Sequence, residues 1–126
     1  MSSGHYHNPG FLALVHDAKT RVKHFGIEEF QRLAASGEPF VLIDVREESE
    51  WAAGHAQGAI HIGRGVLERD IETYVPDKNA KIVLYCGGGY RSVLAAESLG
   101  KMGYTDVISL DGGWRAWKEA GLPTEE

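Results

Sequence analysis

The residues best suited to chemistry lie in one short stretch, residues 81–92 (KIVLYCGGGYRS). An unbroken apolar run leads into Cys86, the only cysteine of the chain, and three glycines, Tyr90 and Arg91 follow. A short apolar run bounded by turn residues is typical of a buried parallel strand. The spacing of apolar residues after Ser92 predicts a helix. The stretch therefore predicts a strand, a glycine loop and a helix, with a thiol at the end of the strand.

This arrangement suits a cysteine nucleophile. Consecutive glycines can adopt backbone conformations that turn several N–H groups toward one point. The following helix adds its unpaired N–H groups and the positive end of its dipole, and Arg91 adds a fixed charge with a fork geometry suited to oxyanions. We therefore expect Cys86 to be catalytic, as a thiolate or persulfide. The expected substrate-binding residues are Gly87, Gly88, Gly89, Tyr90 and Arg91. The alternative is an inert buried cysteine followed by an ordinary loop.

The composition excludes several classes of partner. The chain has 126 residues, of which 43% are hydrophobic and 25% charged, as expected for one globular domain. Its net charge of −5 argues against binding to nucleic acid or to an anionic membrane. No apolar run approaches the length of a membrane span, and the first residues lack the apolar core of a signal peptide.

A single cysteine has two consequences. The chain cannot form an internal disulfide, which favours a reducing compartment such as the cytoplasm. The chain also holds no second thiol to resolve a modified Cys86, so another molecule must remove any sulfur placed on it. His5 and His7 are too few ligands to hold a metal well, so we expect neither a metal nor an organic cofactor.

The elements around this loop alternate between strands and helices. We predict strands at residues 22–25, 40–43, 59–62, 82–85 and 107–110. Helices are predicted between them, one of which would bury Leu67, Ile71 and Tyr74. Such alternation indicates an α/β fold, in which a parallel sheet is covered by helices on both faces. Ligands of such sheets bind outside the carboxyl ends of the strands.

Asp44 and Arg46 follow one of these strands, as Cys86 follows another. We expect both to support the site, by lining it or by orienting the loop. The alternative is a partly buried ion-pair network at the strand end. Trp51, Trp114 and Trp117 are interpreted as packing residues, one of which could border the pocket.

An additional helix is predicted near the N-terminus. Asn8 and Pro9 form a good helix start, and Phe11, Val15 and Ala18 recur at helical spacing. This apolar face should pack on the rest of the domain or on a second subunit, which leaves a homodimer open.

Three stretches together resemble the rhodanese family of sulfurtransferases. They are DVR at 44–46 with EW at 50–51 and GHAQGA at 54–59, the CxxGxR-like loop CGGGYR at 86–91, and LDGG at 110–113 followed by Trp117. They lie in the family's order and span roughly residues 22–122. We therefore assign residues 22–126 to a rhodanese domain and residues 1–21 to an N-terminal tail and helix.

The resemblance implies a double displacement. Cys86 would take the outer sulfur of a donor such as thiosulfate and pass it to an acceptor such as cyanide or a thiol. The residues agree with this chemistry, because N–H donors and Arg91 would stabilise an anionic persulfide. The small molecules implied are thus a sulfur donor and acceptor, although a protein could serve as either.

Three alternatives to a thiosulfate enzyme remain open: a phosphatase, an enzyme for a larger donor, and a sulfur carrier. From Cys86 to Arg91 the loop has six residues, one fewer than in the related phosphatases, and the smaller cradle favours sulfur over phosphate. The two-domain thiosulfate enzymes of the family carry arginine where Glu50 stands, and their loops are richer in cations, so a larger persulfide donor is an alternative. A sulfur-carrier or regulatory module that docks a protein partner is a further alternative.

Overall fold

The computed structural model of the chain describes residues 7–126, so that His5 of the considered metal pair lies outside the described residues. It contains a five-stranded sheet and a separate two-stranded sheet. The strands are β1 Lys23–Phe25, β2 Val41–Asp44, β3 His55–Ala56, β4 Ile60–His61, β5 Ile82–Tyr85, β6 Val107–Leu110 and β7 Thr124–Glu125.

The main sheet has the order β1-β6-β5-β2-β4, and all its neighbouring strands are parallel. The pairing of β2 with β5 sets Asp44 beside Tyr85 at the carboxyl ends of the two strands. The segments after Asp44 and after Tyr85 therefore leave the sheet at the same edge, which is the edge expected to carry the site.

Six helices surround this sheet in the described part of the chain. They are α1 Pro9–Lys19, α2 Ile27–Ser36, α3 Glu48–Ala53, α4 Leu67–Tyr74, α5 Arg91–Lys101 and α6 Gly113–Glu119, with a short 3₁₀ helix at Arg64–Val66. None of the helices in residues 7–126 is both long enough and apolar enough to cross a lipid bilayer.

The two faces of the sheet bury separate apolar clusters. On one face, Ile43 and Leu84 pack with Leu67 and Ile71 of α4 and with Leu99 of α5. On the other face, the cluster joins strand residues to α2 and α6; its buried members are Phe30, Leu42, Ala56, Val83, Tyr85, Leu110 and Trp117. This arrangement confirms the predicted parallel sheet with helices on both faces.

Helix α1 forms an outer layer that packs on α5. Val15 and Ala18 are almost completely buried against Val93, and Phe11 and Leu94 extend this contact. The apolar face of α1 predicted from the sequence is therefore covered by the same chain that carries the sheet.

Two features of the fold differ from the sequence-based expectations. Tyr74 was expected to be buried but is 57% exposed, because α4 ends at this residue and Val75 enters the core instead. The antiparallel pair of β3 and β7, which joins the segment after α3 to the end of the chain, was not predicted.

The contact between α1 and α5 can be tested by Val15→Ala. Deleting two buried methyl groups should lower the free energy of unfolding by about 2 kcal/mol, measured by urea denaturation. Leu14→Ala is the matched control, because Leu14 lies on the same helix and is 55% exposed. It should change stability by less than about 0.5 kcal/mol. Equal effects of the two substitutions would contradict the packing described here.

Candidate active site

Cys86 follows β5 directly and lies almost completely buried at the start of the loop. Its Sγ accepts hydrogen bonds from the backbone N–H groups of Gly89, at 3.2 Å, and Ser92, at 3.4 Å. Gly89 can take part because its φ of +95° is accessible to glycine at little cost. The sequence pattern of strand, glycine loop and helix thus becomes a sulfur held by two N–H donors, which favours an anionic sulfur.

A pair of buried hydroxyls lies behind the sulfur. The Oγ of Ser92 is 3.6 Å from Cys86 Sγ and 2.7 Å from the Oγ of Ser109, on β6. Neither serine has measurable solvent exposure. The two hydroxyls satisfy each other in the core and place a polar group next to the sulfur.

The start of α6 fixes the loop through its backbone. The N–H of Trp114 donates to the carbonyl of Cys86 at 2.8 Å, and the N–H of Arg115 donates to the carbonyl of Gly87 at 3.1 Å. The approach is so close that a Cβ at Gly113 would collide with the Cys86 carbonyl oxygen. A Cβ at Gly89 would likewise lie 2.8 Å from the backbone nitrogen of Gly112.

Arg91, the first residue of α5, faces Glu50 of α3. The two guanidinium nitrogens of Arg91 each lie 3.5 Å from one carboxylate oxygen of Glu50. Both side chains are more than one-third exposed, so this long ion pair is weak and can yield to a bound anion.

Asp44 and Arg46 form a buried pair at the end of β2. Asp44 Oδ2 accepts from Arg46 Nη2 at 2.8 Å, and the same nitrogen donates to the carbonyl of Gly54 at 2.7 Å. Burial acts to lower the pKa of Arg46, but the hydrogen bonds and charge of Asp44 outweigh it and raise that pKa. The guanidinium lies 4.7 Å from the ring centroid of Trp114. Neither Asp44 nor Arg46 lines the pocket described next. Their connection to the pocket is Trp114, which contacts Arg46 and lines the pocket wall.

A pocket of about 680 Å³ opens in front of Cys86. The loop contributes Cys86, Gly87, Gly88, Tyr90 and Arg91 to its wall. Residues from elsewhere complete it: His7 and Phe11 at the start of the chain, Glu50 of α3, and Trp114, Arg115 and Lys118 of α6.

The structure thus brings the predicted loop residues together around one sulfur. Gly89 contacts the sulfur without lining the pocket, whereas Asp44 and Arg46 lie behind the wall. Sequence reasoning missed the pocket positions of His7, Phe11, Arg115 and Lys118, although it allowed that a tryptophan could border the site. The spacing of Trp114 and Lys118, four residues apart after the LDGG turn, was the available signal for α6.

Two other observations concern His55 and metal binding. His55, in β3, has its Nδ1 3.0 Å from the carbonyl oxygen of Trp51 and stacks on the Trp51 ring. Within residues 7–126, no group of three or more histidine, cysteine or acidic side chains is placed to hold a metal ion.

Comparison with known proteins identifies the class of protein to which this fold and site belong. The family model for the rhodanese-like domain matches residues 27–120. The chain therefore belongs to the rhodanese-like family, as the three motifs suggested.

Curated relatives support a general role in sulfur transfer. The chain is 33% identical to the thiosulfate sulfurtransferase GlpE of Ectopseudomonas mendocina over 103 residues, 82% of this chain and 90% of GlpE. It is 43% identical to the thiosulfate sulfurtransferase PspE of Escherichia coli over 70 residues, 56% of this chain and 67% of PspE. It also matches YrkF of Bacillus subtilis, whose name proposes a sulfur-carrier role, at 31% identity over 76% of this chain. The match covers 51% of YrkF, so the chain spans about half that protein's length.

Solved structures share the fold along most of the chain. A protein of unknown function from Rhodopseudomonas palustris, described as a candidate tyrosine phosphatase, is 30% identical with a TM-score of 0.85, over 95% of this chain and 97% of its own. The homodimeric polysulfide-sulfur transferase of Wolinella succinogenes is 28% identical with a TM-score of 0.77, over 92% of this chain and 87% of its own.

The contact between α6 and the loop predicts a strong effect of Gly113→Ala. Its φ of +48° and the collision with the Cys86 carbonyl should together lower the free energy of unfolding by about 3 kcal/mol, measured by urea denaturation. Gly100→Ala is the matched control, because a Cβ at Gly100 meets no atom within 4 Å. Because Gly100 lies within helix α5, Gly100→Ala should leave the free energy of unfolding unchanged or raise it by up to about 1 kcal/mol. A stable Gly113→Ala protein would show that this contact is not required.

Proposed function

We propose that the protein is a rhodanese-type sulfurtransferase that moves a sulfane sulfur through a persulfide on Cys86. The observation that carries the proposal is the placement of Cys86 Sγ within reach of the N–H groups of Gly89 and Ser92, at the base of a pocket that also contains Arg91. An anionic sulfur and an anionic donor are both stabilised by such surroundings.

In the first step, the Cys86 thiolate attacks the outer sulfur of thiosulfate. The new bond joins Cys86 Sγ to that sulfur, the sulfur–sulfur bond of thiosulfate breaks, and its electron pair leaves with sulfite. Arg91 binds the oxyanion end of the donor, which replaces its long contact with Glu50. The terminal persulfide sulfur keeps one negative charge, for which N–H groups of the loop are suitable donors.

In the second step, an external nucleophile attacks the terminal sulfur of the persulfide. Cyanide would take that sulfur as thiocyanate, a thiol would take it as a new persulfide, and Cys86 would leave as the thiolate. The nucleophile must come from outside because the chain has no second cysteine. The same feature favours a reducing location such as the cytoplasm.

The proposal is tested by intact-mass spectrometry after incubation with thiosulfate. We expect the protein to gain one sulfur atom, release sulfite and lose the added sulfur when cyanide is supplied. Cys86→Ser should gain none, because no other cysteine can carry it. Sulfur transfer by Cys86→Ser, or hydrolysis of an aryl phosphate without sulfur loading, would refute the proposal.

A second substitution tests the role assigned to Arg91. Arg91→Ala should raise the KM for thiosulfate by about tenfold or more, because a charged hydrogen bond contributes about 1.5–3 kcal/mol. Arg69→Ala is the matched control, since Arg69 is largely exposed and pairs with its neighbour Asp70, away from the pocket. It should leave KM unchanged. If Arg91→Ala lowers the unfolding free energy without raising KM, Arg91 is structural.

The match to YrkF favours one alternative, a sulfur carrier that loads on Cys86 but discharges to a protein partner. Both functions predict loading of Cys86. They differ in turnover, because a carrier would discharge slowly to cyanide or small thiols and an enzyme would cycle repeatedly. Steady-state thiocyanate production therefore separates them.

A further inference from the structure

We infer that residues 7–11, which lead into the first turn of α1, form a specificity element of the active pocket, which selects organic sulfane-sulfur donors that carry a planar apolar body beside an anionic group. This inference rests on the proposed sulfurtransferase function and names a substrate class for it.

The first observation is an aromatic wall that includes residues outside the family match. The family match begins at residue 27, whereas His7 and Phe11 precede it and line the pocket. The His7 ring centroid lies 4.4 Å from that of Tyr90 and 5.5 Å from that of Phe11. The ring centroids of Phe11 and Tyr90 are 6.3 Å apart. The three rings are only half-buried, so that part of each remains open to the pocket.

The second observation is that this wall is held in place from behind. Val15 and Ala18, one and two turns after Phe11, are buried against Val93 of α5. Helix α5 begins at Arg91, the last residue of the catalytic loop. The aromatic wall and Cys86 are therefore positioned by the same helix, and the wall is not a loose extension of the chain.

The third observation is the size and mixed character of the pocket. Its volume of about 680 Å³ lies within the range of about 300–1,000 Å³ that accommodates small organic ligands. A thiosulfate ion would fill only a small part of it. Arg91 and Lys118 provide positive charge in the same pocket, while His7, Phe11 and Tyr90 provide apolar and aromatic surface. A donor that uses both has an anionic group and a flat apolar body.

An aromatic thiosulfonate such as benzenethiosulfonate has this chemistry. The Cys86 thiolate would attack its outer sulfur, the sulfur–sulfur bond would break, and benzenesulfinate would leave with the electron pair. The product on the protein is the same persulfide that thiosulfate gives. The two donors therefore differ only in the size, shape and charge of the leaving group. The ratio of their kcat/KM values thus measures how the pocket recognises the leaving group.

The experiment compares kcat/KM for benzenethiosulfonate and thiosulfate in the full chain. In His7→Ala and Phe11→Leu, the ratio of benzenethiosulfonate to thiosulfate kcat/KM should fall by about tenfold for the first and severalfold for the second. Phe11→Leu keeps an apolar residue in contact with Val15, and unfolding measurements verify that the variant is folded. Leu14→Ala, exposed on the same helix and absent from the pocket, should leave the ratio unchanged.

The outcomes separate this inference from the function on which it rests. A ratio unchanged in both pocket variants, or equal losses with both donors, would overturn the specificity role of residues 7–11 while leaving the sulfurtransferase proposal standing. Failure of the unmodified protein to load sulfur from either donor would overturn both. A ratio that falls equally in Leu14→Ala would show a general effect of α1 and would also overturn the inference.

Discussion

The whole site depends on the close approach of two backbone segments, the loop after Cys86 and the start of α6. The N–H groups of Trp114 and Arg115 donate to the carbonyls of Cys86 and Gly87 and so fix the path of the loop. In this conformation the N–H groups of Gly89 and Ser92 donate to the sulfur. Only glycine permits this approach at position 113, since any side chain there meets the Cys86 carbonyl. The LDGG turn is thus part of the machinery that shapes the cysteine loop.

Much of the fold could be predicted because each element carries a local signal. The apolar runs predicted β2, β5 and β6 to within one residue, and alternation with helices predicted a parallel sheet. Alternation also placed Asp44 and Cys86 at one edge, which the register of β2 and β5 confirms. The pair of β3 and β7 could not be predicted, because His55–Ala56 and Thr124–Glu125 carry no apolar run or alternation that would indicate a strand. Tyr74 has the spacing of a core residue, but the end of α4 leaves it exposed.

The site divides in the same way between local and long-range information. The Cys86 loop is contiguous, so its glycines and Arg91 could be chosen from the sequence, and their functional roles stay predictions. The rest of the pocket comes from residues more than 20 positions away, which meet the loop only after the start of α1, α3 and α6 pack. Within the loop, Arg91 is the one residue with a fixed charge, as expected. Helix α6 adds two further cationic residues, Arg115 and Lys118, to the pocket. The charge of the pocket therefore cannot be read from the loop alone.

The paired hydroxyls of Ser92 and Ser109 have a consequence for the proposed reaction cycle. A thiol can donate a hydrogen bond, whereas a thiolate can only accept one. With Cys86 as a thiolate, the Ser92 hydroxyl can donate to the sulfur and the Ser109 hydroxyl can donate to Ser92, because the two oxygens lie only 2.7 Å apart and either one can be the donor. Such an arrangement requires rotation of two hydroxyl groups and no backbone movement. The hydrogen bonds of Ser92 and Ser109 can thus reverse direction to match the charge of Cys86, while the packing of the core stays the same.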